Sequence, residues 1–160
     1  MGDEIAIPVS LPLDSDGFLR RECPHCMRKF KWHNGPASEE AELHAPPPAY
    51  HCPLCGQPAG MESWYTQVQV EYIDQTAAPH RDDIVESAVD DLFKGLKGTK
   101  GITVKRSRGS SARSPNPDPI TEPDDMTIVV SPCHGYEPIK VPDNHVGPLY
   151  CLVCGSAFAV

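Results

Sequence analysis

Aromatic residues make up only 7% of this 160-residue chain and charged residues 22%. No stretch approaches the roughly 20 apolar residues needed to span a bilayer. Basic charge is the scarcer sign, with 14 Lys and Arg against 22 Asp and Glu and a formal net charge of −8. That balance argues against indiscriminate attraction to nucleic acid but leaves room for a local basic face. The signatures of hydrolytic zinc are missing too: there is no HExxH, and no His-x-Glu precedes a Pro-Cys-x-x-Cys pair. The opening residues lack a signal-peptide core, and Ala6 stands where a myristoylation signal needs Ser or Thr. The expectation is a cytoplasmic, non-enzymatic protein with no membrane association.

With 18 prolines and 12 glycines, few apolar runs remain to close a core. One compact domain or two small ones of this composition need another source of stability, and bound metal can supply it. Apparent zinc-binding energies of about 10–16 kcal/mol translate into folding free energy.

The cysteines answer that need. Cys23-Pro-His-Cys26 and Cys52-Pro-Leu-Cys55 are two CxxC turns separated by 25 residues. This spacing lets two β-knuckles face one another and enclose one Zn²⁺ with four thiolates. Clustered thiolates also fit a reducing compartment. Near the C-terminus, Cys151-Leu-Val-Cys154 follows a single Cys133, so a second zinc site has three cysteines and needs a fourth ligand. His134 lies next to Cys133 and is the preferred candidate. His145 falls on the 142–148 turn, which a strand over 137–141 carries away from the metal at about 3.3 Å per residue. A water completing an open site is the third alternative. In this repeat the place of a leading cysteine falls on Val130.

Along the chain, Ile5, Ile7, Val9, Leu11 and Leu13 alternate, and Asp16-Gly17 offers a turn, so 5–22 reads as a β-hairpin entering the first knuckle. Residues 27–32 read as an outgoing strand, and 33–49 as a polar loop. Residues 63–76 fit a helix capped by Ser63, although Val68, Val70 and Tyr72 also alternate. A stronger helix covers 82–97, where Ile84, Val85, Ala88, Val89, Leu92, Phe93 and Leu96 form one stripe for packing on the ribbons or, as the alternative, for binding a partner. Short strands are expected at 102–104 and 126–130, with a mobile loop over 106–125 between them. The implied organisation is an N-terminal ribbon (1–60), a helical segment (61–98), short strands with a loop (99–130) and a C-terminal ribbon (131–160). In class this is a small α+β, metal-stabilised fold: two zinc-ribbon units of antiparallel β-hairpins flanking a helical middle.

Cys-Pro-His-Cys also resembles the active-site motif of thioredoxin-fold oxidants, but there a helix follows, whereas here the next residues alternate like a strand. Residues 18–58 and 128–160 instead resemble zinc-ribbon (rubredoxin-like) proteins. The whole chain is similar to a group of uncharacterised bacterial double-zinc-ribbon proteins, through Arg20-Arg21-Glu22-Cys23-Pro24-His25-Cys26, Phe30-Lys31-Trp32-His33, and Ser131-Pro132-Cys133-His134 with Glu137-Pro138-Ile139-Lys140. The resemblance implies the ribbon fold and makes Cys133-His134 a motif unit, which supports His134 as ligand. It implies no activity.

The functional expectation is a protein-interaction or adaptor module with two structural Zn²⁺, ligated by Cys23, Cys26, Cys52 and Cys55 and by Cys133, His134, Cys151 and Cys154. The alternative is nucleic-acid binding. Basic residues crowd 94–113 (Lys105, Arg106 and Arg108 among them), while Arg28, Lys29 and Lys31 interleave with Phe30 and Trp32 as a stacking and phosphate-contact strand. A zinc-dependent hydrolase is the remote third reading. The sequence sets neither the oligomeric state nor the packing of the two ribbons.

Overall fold

The computed structural model describes residues 6–96, 101 and 114–160. The expected strand at 102–104, the end of the 82–97 helix, Ile5, Lys105, Arg106 and Arg108 lie outside the described residues. The chain divides into two compact units, one of Leu11–Gln69 with Ile120–Val160 and one of Met1–Ser10 with Val70–Pro119. Both cysteine-rich segments belong to the first of these.

In chain order the elements are β1 (Phe18–Glu22), β2 (Lys29–His33), α1 (Glu39–Glu42), β3 (Ala49–His51), β4 (Pro58–Gly60), a 3-10 turn at Met61–Ser63, α2 (Gln67–Leu96), β5 (Met126–Val129), β6 (Ile139–Pro142), β7 (Leu149–Tyr150) and β8 (Ala157–Phe158). The small α+β class with antiparallel hairpins is as expected. The hairpins join, however, into one four-stranded antiparallel sheet of order β1-β2-β6-β5, with two-stranded ribbons β3-β4 and β7-β8 beside it. Strands β2 and β6, one from each cysteine-rich segment, meet at the centre of the sheet. The two ribbons therefore pack as one body.

The first hairpin is not the one that alternation over 5–13 implies. Residues 6–13 form no strand, and the sheet begins after the turn at Asp14–Gly17. There Asp14 Oδ1 accepts from the backbone N–H groups of Asp16 and Phe18, and Gly17 adopts a left-handed φ of 84°. The outer edge of β1 is already taken. Glu22 N donates to Trp64 O at 2.9 Å and Gln69 Nε2 donates to Arg20 O at 2.9 Å, so the β1 edge that a 5–22 hairpin would use is engaged by other residues.

The sheet face toward the ribbons carries the core. Phe30, Trp32, Tyr50 and Trp64 meet edge to face, with ring centroids 4.9–5.8 Å apart for Trp32–Tyr50, Phe30–Trp64 and Trp32–Trp64. Ile139, Val141, Leu149 and Leu152 continue this cluster in the second half. Burying such side chains stabilises by about 1.5–3 kcal/mol each.

The opposite face holds a buried charge cluster. Lys31 and Lys140 sit directly across the β2–β6 ladder and are 0% and 2% exposed. Like charges opposed in a sheet repel, and here Asp14 resolves the conflict. Its Oδ2 lies 3.0 Å from Lys31 Nζ and 2.8 Å from Lys140 Nζ. Glu122 adds a contact of 3.0 Å to Lys31, and Asp16 one of 2.6 Å to Lys140. Lys31 is thus a sheet-centre ion and not part of an exposed phosphate-contacting strand, which corrects its expected role. Phe30 and Trp32, its expected stacking partners, are core residues. Within the expected mobile loop, residues 122–125 are pinned: Arg20 reaches both Glu122 and Asp125.

The middle of the chain is one helix, not two. Its start is a reciprocal capping box one turn later than expected: Gln69 N donates to Thr66 Oγ1 at 3.2 Å, and Thr66 N donates to Gln69 Oε1 at 3.0 Å. Ser63 ends the preceding 3-10 turn instead. The helix runs through Pro79, which forfeits one backbone hydrogen bond. Its expected buried stripe is largely open, with Val85 61% and Leu92 63% exposed. No helix among the described residues is long and apolar enough to cross a membrane.

The ion cluster yields a pH test. Burial opposes the Asp14 charge, but the hydrogen bonds from Lys140, the Phe18 amide and Lys31 outweigh it and hold its carboxyl well below the usual range. A depressed carboxyl stabilises fully above its unfolded value, near 3.9, and loses that contribution as pH falls through the folded value. Asp14→Asn is expected to cost about 3–5 kcal/mol at pH 7, as for a buried pair stripped of one partner. The gap to the parent in urea unfolding should shrink steadily below about pH 4. A gap that stays constant down to pH 2 contradicts this account.

Candidate metal centres

Each CxxC turn is built by the same backbone device. Cys23 N donates to Arg28 O and Met27 N to Cys23 O; Cys52 N donates to Gln57 O and Gly56 N to Cys52 O; Cys151 N donates to Ser156 O and Gly155 N to Cys151 O, all at 2.8–3.0 Å. The residue after the second cysteine turns left-handed, with φ of 58° at Met27, 77° at Gly56 and 73° at Gly155. At Gly56 and Gly155 a side chain would also collide. An added Cβ would lie 2.8 Å from the Tyr150 ring or 2.6 Å from the His51 ring, respectively.

These turns aim the sulfurs inward. Cys23, Cys26, Cys52 and Cys55 bring four Sγ atoms within 4.8 Å of one another, with Cys23–Cys55 at 3.7 Å and Cys26–Cys52 at 3.8 Å. Backbone N–H groups of His25 and Cys26 point at Cys23 Sγ, and that of Leu54 at Cys52 Sγ, at 3.3–3.4 Å. Such donors favour thiolate. Burial pushes the Cys26 thiol up, yet the Arg28 amide and guanidinium outweigh it and bring it down to about 7. Burial raises Cys52 instead. Four thiolates around a divalent ion leave a net charge of −2, which Arg28 partly offsets.

The second centre gathers Cys133, His134, Cys151 and Cys154, again within 4.8 Å. Cys133 and Cys154 Sγ are 3.5 Å apart, and Cys151 Sγ lies 3.4 Å from His134 Nδ1. His145 stands elsewhere, its Nε2 3.2 Å from Pro148 O on the 142–148 turn. The Ser156 hydroxyl lowers Cys154 to about 6.

The register of this half differs from the expected one. Phe30 and Ile139 each precede one of the facing lysines; Arg21 pairs with Phe30 and Val129 with Ile139. Counting on, Glu22 matches Val130, Cys23 matches Ser131 and Cys26 matches His134. Cys-Pro-His-Cys is therefore answered by Ser-Pro-Cys-His. The Ser131 hydroxyl, not Val130, occupies the place of the leading cysteine. His134 N donates to Ser131 Oγ at 3.3 Å, as Cys26 N does to Cys23 Sγ. Ser131 Oγ in turn donates to Cys151 Sγ at 3.3 Å and so supports a ligand candidate rather than acting as one. The aligned Pro24 and Pro132 carried the signal for this register.

The two centres lock together. His51 N donates to Leu152 O at 2.8 Å and Tyr150 N donates to Pro53 O at 2.9 Å. These bonds are equivalent, each running from the residue before one cysteine to the residue after the other, and they complete an internal pseudo-two-fold that passes between Lys31 and Lys140.

Of the expected nucleic-acid contacts, Arg28 is exposed but its guanidinium donates to Leu54 O, and Lys29 lies 4.0 Å from Glu22. No protein-family model, curated protein or solved structure matches this chain. The reading of function therefore rests on its geometry.

Exposure differs among the cysteines, Cys151 being buried like Cys23 and Cys52. Cys23 and Cys52 are buried, whereas Cys133 and Cys154 are exposed. Peptide mapping after a limited pulse of N-ethylmaleimide should find Cys133 and Cys154 modified before Cys23 and Cys52. Equal labelling of all four would contradict the burial difference.

Proposed function

We propose that this chain is a non-catalytic zinc protein, with two structural Zn²⁺ ions, that serves as a protein-interaction or adaptor module in the cytoplasm. The supporting observation is the spacing of the donors. A tetrahedral zinc with Zn–S near 2.3 Å needs sulfurs roughly 3.8 Å apart, and Zn–N near 2.0–2.1 Å puts sulfur and nitrogen roughly 3.6 Å apart. The Sγ pairs of the first centre, at 3.7 and 3.8 Å, and the Sγ–Nδ1 pair of the second, at 3.4 Å, fit those values. Cys₄ and Cys₃His are structural zinc sets. Bound there, the ion would supply cross-linking of two hairpins in each half. Four protein donors fill each shell, which favours this role over hydrolysis, where an open position is required.

The interaction role is preferred to nucleic-acid binding on charge. The net charge is −8, Lys31 is enclosed by carboxylates, and Arg28 and Lys29 engage groups of their own chain.

Elemental analysis of the purified chain is expected to find two zinc per molecule. His134→Ala should reduce this to one and His145→Ala should leave it at two. Loss of a zinc from the His145 variant with none lost from the His134 variant would overturn the second centre.

A further inference from the structure

The register that aligns Cys-Pro-His-Cys with Ser-Pro-Cys-His moves one metal donor outward. In the first centre Cys23 and Cys52 are buried, and each close pair, Cys23–Cys55 at 3.7 Å and Cys26–Cys52 at 3.8 Å, includes one of them. In the second centre Cys26–Cys52 is answered by His134 and Cys151, whose Nδ1 and Sγ lie 3.4 Å apart. The place of Cys23 is held by Ser131, which is 4% exposed. The thiol that Ser131 lacks comes from Cys133 instead, two residues on, where the first turn carries the exposed His25.

That displacement creates a pair the first centre does not have. Cys133 Sγ lies 3.5 Å from Cys154 Sγ, and both residues are exposed, whereas no cysteine of the first centre is. The third thiol of the second centre is shielded: Cys151 is buried, and the Ser131 hydroxyl donates to its sulfur at 3.3 Å. Reaction of sulfur with oxidants follows thiolate character and access. Access here singles out Cys133 and Cys154, and closing their gap to a disulfide of about 2.05 Å needs a shift of only about 1.5 Å.

We propose that Cys133 and Cys154 are an oxidation site for hydroperoxides, and that their oxidation releases the second zinc while the first is retained. One thiolate attacks a peroxide oxygen and becomes a sulfenic acid as hydroxide leaves. The other thiolate attacks that sulfur, expels a second hydroxide and closes the disulfide. Two thiolates thereby give up two electrons, and hydrogen peroxide takes up both and becomes two hydroxides. Only Cys151 and His134 remain as donors, too few to hold the ion in a closed site. The disulfide joins the same two hairpins that the ion joined, so this half stays tethered. A dithiol reductant returns both thiolates, and zinc can rebind. The inference rests on the two zinc centres proposed above and adds to the second a class of reactant.

The test adds hydrogen peroxide to the full zinc-loaded chain, follows free zinc with a chromogenic indicator, and locates disulfides by peptide mapping without reductant. One zinc is expected to leave at least about tenfold faster than the other. At that stage Cys133 should be linked to Cys154, with Cys23, Cys26, Cys52 and Cys55 still reduced. Dithiothreitol with added zinc should then restore two bound ions. Cys133→His keeps a Cys₂His₂ donor set and removes one partner of the disulfide, so its second zinc should leave at least about tenfold more slowly than the parent's. Should that variant fail to hold a second zinc, the disulfide map of the parent decides. Release of both ions at one rate, a link from Cys151 to Cys154, or earlier oxidation of the first centre overturns the proposal. Two zinc retained under peroxide would overturn it while leaving the metal reading intact. A chain that binds no zinc yet links Cys133 to Cys154 would support the oxidation site and sink the metal reading instead.

Discussion

Each half of this protein is held by the need to bring four side-chain donors within 4.8 Å of one another. The donors come from two hairpins that share no ladder with one another, β1-β2 with β3-β4 and β5-β6 with β7-β8. The left-handed turn after each CxxC, the N–H groups aimed at sulfur and the glycines pressed against His51 and Tyr150 all serve that convergence. Without a positive ion at the centre, four thiolates would repel and the hairpins would part. On the proposed reading, zinc binding and folding are one event.

The second constraint is the central β2–β6 pair. Two lysines face one another there in the interior, an arrangement that is unfavourable until Asp14, Glu122 and Asp16 converge on it. These carboxylates come from near the start of each of the two segments of the cysteine-rich body, so the ion cluster ties its N-terminal turn and the 122–125 segment to the sheet. The pair also fixes the register between the halves, and from that register follows the equivalence of Cys23 with Ser131.

Much of the metal chemistry was legible in the sequence because CxxC turns are local. The four cysteines of the first centre, the three of the second and His134 could be named from spacing and adjacency. Long-range compensation was not legible. Phe30-Lys31-Trp32 read as a half-exposed strand because a lysine is normally solvated; only carboxylates from 14 and 122–125 permit its burial. Alternation over 5–13 implied a strand, but the edge it would have joined is occupied by Trp64 and Gln69. Val130 stood in for Ser131 because a CxxC reading makes Cys133 the second cysteine, whereas the ladders set Cys133 opposite His25 and His134 opposite Cys26. The helix cap was placed at Ser63 because the Thr66–Gln69 box, although present as a pattern, competes with a nearby serine of the same kind.

The measurement closest to the central claim is X-ray absorption at the zinc edge of the purified protein. Seven cysteines and one histidine shared between two ions predict a first shell with sulfur near 2.3 Å and nitrogen near 2.0–2.1 Å, in a ratio of seven to one. A shell containing oxygen, or one with clearly fewer sulfurs than that ratio, would contradict two closed structural centres.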